Sequence, residues 1–218
     1  MGEAALGLRE LKKKRTRATI VDVAARLCAQ RGYENTTVDQ IAAAADISPR
    51  TFSRYFPSKE AVIGALIEEI TGQVADTLSR QSREITEHEA LVRAHLEVFR
   101  ATAHNEPNAM SFDRIDGFLK IVNGSPLLGL AAFTYRPDSP TGPVIEALAH
   151  RMNVGIDDPA VRIVFDTWAV LMATALGTPG VDFGSPAGVA DQIEATYALF
   201  TRLWRPWGSP DQPPSGGP

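Results

Sequence analysis

Cysteine is almost absent from this chain: its 218 residues include one, Cys28. A single thiol excludes an internal disulfide and suits a reducing compartment. Cys28 falls on an apolar helical stripe, so it reads as a small core residue. Long apolar runs are missing too. None is expected to cross a bilayer, and the N-terminus lacks the apolar region of a signal peptide. The setting expected from these two absences is a reducing cytoplasm, with no membrane partner. Without a secretory signal the glycosylation-like triplets "NTT" and "NGS" carry no weight. No nucleophile–base pairing, glycine-rich phosphate loop or metal-ligand spacing is found, which points away from an enzyme and implies no cofactor. His88, His95, His104 and His150 are too scattered to suggest a metal site. Strand alternation and internal repeats are lacking as well.

What is present is ordinary in amount and uneven in placement. Charged and apolar residues make up 22% and 44% of the chain, as in soluble globular proteins. The net charge of −4 conceals two opposed regions. Residues 1–60 hold 11 Lys/Arg and 7 Asp/Glu, a net of +4, and residues 61–218 hold 11 and 19, a net of −8. A basic head on an acidic body argues for a polyanionic partner at one end only, although a merely solvated face has the same charge.

Helical periodicity runs almost throughout. Residues 1–15 read as a disordered basic arm around "LKKKRTR". A first helix is expected from about Arg17, with Ile20, Val23, Ala24 and Leu27 inward, stopping at Gly32. Thr36 or Thr37 caps a second helix, whose inward face is Val38, Ile41, Ala42 and Ala45. Ser48 caps a short third helix with Pro49 in its first position, where a missing N–H costs nothing. Pro57 ends it, and Ser58 caps a long fourth from Lys59 to about Ser82. Further helices are expected at Glu87–His104, from Pro107 to about Val122, and from "NGSPLLGLAAFTY". Pro143–Asn153, Pro159–Leu176 and Ala187–Trp204 follow, and the last dozen residues read as a disordered tail. The fold class is all-α. Helices two and three, about three residues apart, have the helix-turn-helix layout that places its second helix in the DNA major groove.

The stretch "TTVDQIAAAADISPRTFSRYFPSKEAVI" resembles the DNA-binding half of the TetR-like transcriptional regulators. The likeness covers roughly residues 16–65: Gly32-Tyr33, Thr37-Val38, Ile41-Ala42, Thr51-Phe52, Tyr55-Phe56 and Ser58-Lys59. It implies a helix-turn-helix domain over 16–62 and a helical ligand-binding and dimerisation domain over 63–206, with 1–15 and 207–218 as arm and tail. It also implies a homodimer formed through the last two helices. Most such regulators, in the bacterial cytoplasm beside the nucleoid, repress transcription from a palindromic operator and leave it when a small molecule binds. Two departures from the family pattern stand out. Asp46 occupies a turn position often filled by glycine, and Ser53 a position that is often aromatic.

The residue chemistry in this stretch agrees. Thr37, at a helix start, offers its hydroxyl and backbone N–H to a phosphate. Ser48, Arg50, Thr51, Ser53, Arg54 and Tyr55 lie on or near the outer side of the third helix. Arg50 or Arg54 takes a guanine edge bidentately or holds a phosphate. Tyr55 and Lys59 are expected on phosphates, and Phe52 and Phe56 in the core. The basic arm enters a minor groove, raises non-specific affinity, or is only solvated.

In the second half, "DRIDGFLKIVNGSPLLGLAAFTY" through "IEALAHRMNVGIDDPAVRIV" is distantly similar to a subgroup proposed to bind acyl-CoA-like ligands. An acyl chain needs an apolar channel, and a CoA head needs cations at its mouth. The candidates are Phe99, Met110, Phe118, Leu119, Phe133, Trp168 and Met172 for the lining, with Arg114 for the head group. An ordinary core residue is the alternative at each. The alternative for the whole protein is a ligand-binding or carrier protein, for instance for acyl-CoA, whose basic head does not read a sequence. The expected partners are double-stranded operator DNA, a small-molecule effector and a second copy of the chain.

Overall fold

A computed structural model describes residues 2–104, 109–124, 142–177 and 185–203. Among these residues there are nine α-helices and no strand. They are α1 (Gly2–Arg31), α2 (Val38–Ala44), α3 (Pro49–Ser53), α4 (Lys59–Arg80) and α5 (Glu87–Ala103). After them come α6 (Phe112–Gly124), α7 (Pro143–Met152), α8 (Pro159–Leu176) and α9 (Pro186–Leu203). The start of the expected helix at Pro107, the "NGSPLLGLAAFTY" segment, Phe133 and the C-terminal tail lie outside the described residues.

The head forms because each of its short helices is fastened at its N-terminus. Thr37 accepts from the Gln40 N–H, and Gln40 Oε1 accepts from the Thr37 N–H, a reciprocal box that satisfies two orphan donors. Ser48 caps α3 through the Thr51 N–H, with Pro49 at the first position, and Ser58 caps α4 through the Ala61 N–H. At the other end of α1, Gly32 takes φ +84°, a conformation that costs glycine nothing. Ile20, Ala24, Ile41, Phe52, Val62 and Leu66 then close over one another as a small core. Cys28 is buried beside Tyr33, Ile63 and Ile121. Burial pushes its thiol pKa up, so it behaves as a small apolar residue.

Two differences from the sequence reading concern helix extent and apolarity. Where a disordered arm is expected, α1 is one helix from Gly2, 30 residues long. "EAALGLRELKKKRTRATI" contains no proline, and alanine, leucine, glutamate, lysine and arginine all favour helix, so nothing local halts it. The second difference is α8, whose 18 residues with mean hydropathy 1.4 are long and apolar enough to cross a membrane by length and composition. It packs instead on α5, α7 and α9, and it carries an Arg162–Asp166 pair at i,i+4 spacing. Trp168, Leu171 and Met172 face the core, while Ile163 and Val170 stay exposed.

The body is assembled around α4, which leaves the head and packs on α5 and α7. Arg151 of α7 is 8% exposed. Its guanidinium donates to three carbonyls where α4 gives way to α5: Gln81 at 3.0 Å, Ser82 at 2.6 Å and Ile85 at 2.9 Å. One buried cation thus satisfies carbonyls that a helix end leaves unpaired. Helix α9 covers α5 and α8, with Arg100 paired to Glu194 at the margin. Head and body meet where α6 lies on α1. Gly117 of α6 faces Ala25 of α1, where a Cβ would stand 3.4 Å from the Ala25 Cβ, at ordinary van der Waals distance. Beside it Arg114 pairs with Asp22 of α1 and Glu69 of α4.

Candidate functional site

The outer face of the head is built by α3, and its geometry follows from where two phenylalanines go. Phe52 and Phe56 are buried, with ring centroids 6.2 Å apart. Turning those rings inward turns Arg50, Ser53 and Arg54 outward, and all three are exposed. Thr51 and Tyr55 sit at the edge, half-buried, with Tyr55 packed on the head core. Ser53 donates to the Pro49 carbonyl at 3.1 Å, and Ser48 and Thr51 share a hydroxyl contact of 2.9 Å. The short turn between α2 and α3 holds because Asp46 accepts φ +54°, which aspartate tolerates better than most residues.

Several expected contacts have other partners here. The Thr37 N–H is taken by Gln40, leaving the hydroxyl hydrogen as its outward donor. Lys59 is half-buried. Its Nζ donates to the Tyr33 carbonyl at 2.6 Å and lies 3.9 Å from the Tyr33 ring centroid. The Tyr33 hydroxyl donates to Glu60 at 2.7 Å. That bond, followed by the Glu60 backbone N–H and Ser58, holds the Glu60 carboxyl down to about 2. Burial first, and then Glu60, pushes the Tyr33 phenol upward. Lys59, Tyr33 and Glu60 therefore lock the start of α4 to the end of α1. Arg17 covers the Phe56 ring at 4.8 Å. The helical basic segment brings Arg9, Lys12 and Lys13 beside Arg54 and Tyr55 around an open groove of about 620 Å³. Nothing in the sequence signals that grouping beyond helix-favouring residues between the arm and α1.

In the body, α4 to α8 enclose a cavity of about 120 Å³. Phe99, Phe118, Leu119, Trp168 and Met172 line it, bringing five of the expected residues together. Met110 and Arg114 border a different, wider groove of about 750 Å³ between α1, α4 and α6. The Arg114 guanidinium is committed there to Asp22 and Glu69, which raise its pKa further. It does not reach the apolar cavity as a head-group partner would. His95, set aside above as a metal ligand, and Thr71 line the cavity too, and neither is among the lining residues expected from the sequence. His95 had a signal: it is four residues from Leu91 and four from Phe99 on the buried stripe of α5. Its ring centroid is 4.5 Å from that of Trp168. Burial lowers its pKa to about 4, although the Leu91 carbonyl works the other way. Among the described residues no cluster of His, Cys, Asp or Glu is placed to hold a metal ion.

Comparison with known proteins gives one consistent picture. Residues 20–66 match the profile of the family described as bacterial regulatory proteins, tetR family. The HTH-type transcriptional regulator TcmR of Streptomyces glaucescens is 32% identical over 152 residues, covering 70% of this chain and 67% of that protein. The TetR-family regulator SCO0857 of Streptomyces coelicolor A3 superposes with a TM-score of 0.50 at 18% identity, covering 86% of this chain and 96% of its own. The TetR family protein CprB of S. coelicolor A3(2) gives 0.51 at 22% identity, covering 92% and 93%. At these identities the two structures speak for the fold alone.

Proposed function

Because the chain belongs to the TetR family of bacterial regulatory proteins, we propose that this transcriptional regulator is a ligand-responsive repressor. It grips a palindromic operator as a homodimer and lets go when a small, largely apolar molecule fills the body cavity. The carrying observation is the outer face of α3, where Arg50 and Arg54 stand exposed above a buried Phe52–Phe56 wedge. A rigid helix holding two guanidinium forks outward suits the guanine edges and phosphates of a major groove. The Thr37 hydroxyl and the cations of α1 flank it as backbone contacts.

Exposed apolar side chains on the last two helices support a dimer. Ile163 and Val170 of α8 are 65% and 66% exposed, and Leu199 and Leu203 of α9 are 42% and 72% exposed. Pairing these helices with a second copy would remove that surface from water.

Helix α6 supplies the coupling. Its Ile115, Phe118 and Leu119 line the cavity, while its Gly117 rests on Ala25 and its Arg114 holds Asp22. A filled cavity moves α6, and α6 cannot move without α1. The two recognition helices of the dimer then lose the spacing of successive major grooves. Coupling of about 1–3 kcal/mol gives a several-fold to hundredfold loss of DNA affinity.

The test is a fluorescence-anisotropy titration with DNA from the protein's own upstream region against a scrambled duplex, at several salt concentrations. A preference of about a thousandfold is expected. Equal, salt-sensitive binding to this duplex and to a genome-selected one would remove the sequence-reading function and favour a carrier.

A further inference from the structure

We propose that the body cavity selects an uncharged, largely apolar molecule carrying a hydroxyl group, whose hydrogen His95 Nε2 accepts. The proposal deepens the effector-responsive reading given above and rests on it.

A neutral imidazole has one N–H and one lone pair. His95 Nδ1 lies 2.8 Å from the Leu91 carbonyl oxygen, which can only accept. The proton is therefore on Nδ1, and Nε2 presents a lone pair. With its pKa near 4, the ring stays neutral at physiological pH and this tautomer persists. Thr71, on the same cavity wall, repeats the pattern: its Oγ1 donates to the Ile67 carbonyl at 2.8 Å. His95 and Thr71 have thus spent their hydrogens on the backbone and offer a ligand acceptors, and the one other polar side-chain group in the described lining is the Trp168 indole N–H. The rest of the described lining is apolar side chains and Gly142, with no lysine or arginine among them.

A site of this kind discriminates by desolvation. A carboxylate or phosphate entering it would leave water and meet the lone pairs of His95 and Thr71 and at most one neutral donor, the Trp168 indole N–H, with no cation to replace its hydration. A hydrocarbon would fit but leave Nε2 unpaired. A molecule with an O–H satisfies Nε2 and keeps the apolar contacts. Phe99, Phe118, Phe165 and Trp168 surround it with ring faces, and the volume suits one small ring. This chemistry differs from that of an anionic acyl head group, which the sequence suggested.

Three ring compounds of matched shape test it: p-cresol, p-xylene and p-toluate. Their binding to the full-length protein without DNA is measured by equilibrium dialysis. Wild type should prefer p-cresol to p-xylene and bind p-toluate weakest. In His95→Phe the cresol-to-xylene affinity ratio should fall by about tenfold, as one hydrogen bond predicts, with p-xylene still binding. His95→Gln, which keeps an acceptor oxygen, should recover part of the ratio.

An unchanged ratio in His95→Phe would overturn the proposal. So would tightest binding of p-toluate, or no binding of any of the three by wild type. Operator titration of the same preparations separates this from the regulator reading. Sequence preference lost with cresol preference kept would sink the repressor alone. Cresol preference absent with operator binding intact would sink the hydroxyl selection alone.

Discussion

The head and the body place their polar side chains for opposite purposes. In the head, burying Phe52 and Phe56 drives Arg50 and Arg54 into solvent, where a long-range anion can find them. In the body, His95 is drawn inside on the same stripe as Leu91 and Phe99, where only a molecule that leaves water can reach it. Most of the head's chemistry is local, carried between Thr37 and Tyr55 and joined there by Arg9, Lys12 and Lys13 of α1. The body's chemistry is convergent, since α4, α5, α6, α7 and α8 each contribute to one cavity wall. A surface that reads a polymer can be short and rigid. A pocket that admits a small molecule must be enclosed from several sides.

The largest expected effect divides the two regions outright. Replacing Arg50 and Arg54 together by alanine should cut operator affinity about a thousandfold, erasing preference over scrambled DNA. The thermal melt should stay within about 0.5 kcal/mol of wild type, because both side chains are exposed. Anisotropy and calorimetry on one preparation check this. Retained preference would move sequence reading away from α3.

The reverse case is Arg151→Ala. Three carbonyls near the end of α4 lose their donor at once, and the loss should be about 3–4 kcal/mol in urea titrations. DNA affinity of the protein still folded should change little, since the residue lies in the body. A small loss would mean that water replaces the guanidinium at those carbonyls.

Acid should separate the regions next. His95 has a folded pKa of about 4 against an ordinary 6.5, so unfolding takes up a proton between those values. The body is therefore fully stable above 6.5 and loses stability as pH falls towards 4, by no more than about 3 kcal/mol. Lowered by burial in the same sense, His88 adds to this loss. No described side chain lining the cavity is charged, so none offsets it. Glu60 in the head has its carboxyl held at about 2 against an ordinary 4.5, and its contribution disappears only as pH falls through that lower window. Urea midpoints followed from pH 7 to 4 should fall in wild type and fall less steeply in His95→Phe, where His88 alone remains. An equal slope in both would remove His95 as the cause.

The same contrast decides what could be read from the sequence. The caps at Thr37, Ser48 and Ser58, the Gly32 stop and the inward phenylalanines were legible because each depends on neighbours within about four residues. The limits of α8 were legible for the same reason, with Asp158 and Pro159 at its start and Gly177 at its end. Arg114 was not. Nothing near it in sequence announces Asp22 or Glu69, which are 92 and 45 residues away. Nor was His95 as a cavity wall, because its stripe spacing is also that of an ordinary core residue. Lys59 shows the limit inside the head, where a cation at a helix start suits a phosphate as well as the Tyr33 carbonyl it meets.

The smallest expected effect gives the finest comparison, because among the described residues each region has one non-glycine residue in the left-handed conformation. Asp46 at φ +54° closes α2, and Asn153 at φ +57° closes α7. Glycine relieves the steric cost of that conformation but adds freedom to the unfolded chain, and the two terms nearly cancel. Asparagine tolerates this region at least as well as aspartate. Asp46→Gly should therefore be neutral or stabilise by about 0.5 kcal/mol, and Asn153→Gly should fall at or slightly below neutral. The pair should part company on DNA. Removing a carboxylate from the turn beside α3 should raise affinity for any duplex a few-fold at low salt, fading as screening increases. Asn153→Gly, on the body and uncharged, should leave DNA binding alone. A large stability loss at Asp46 would mean that its carboxylate holds the turn, and the head would then depend on a contact its backbone does not require.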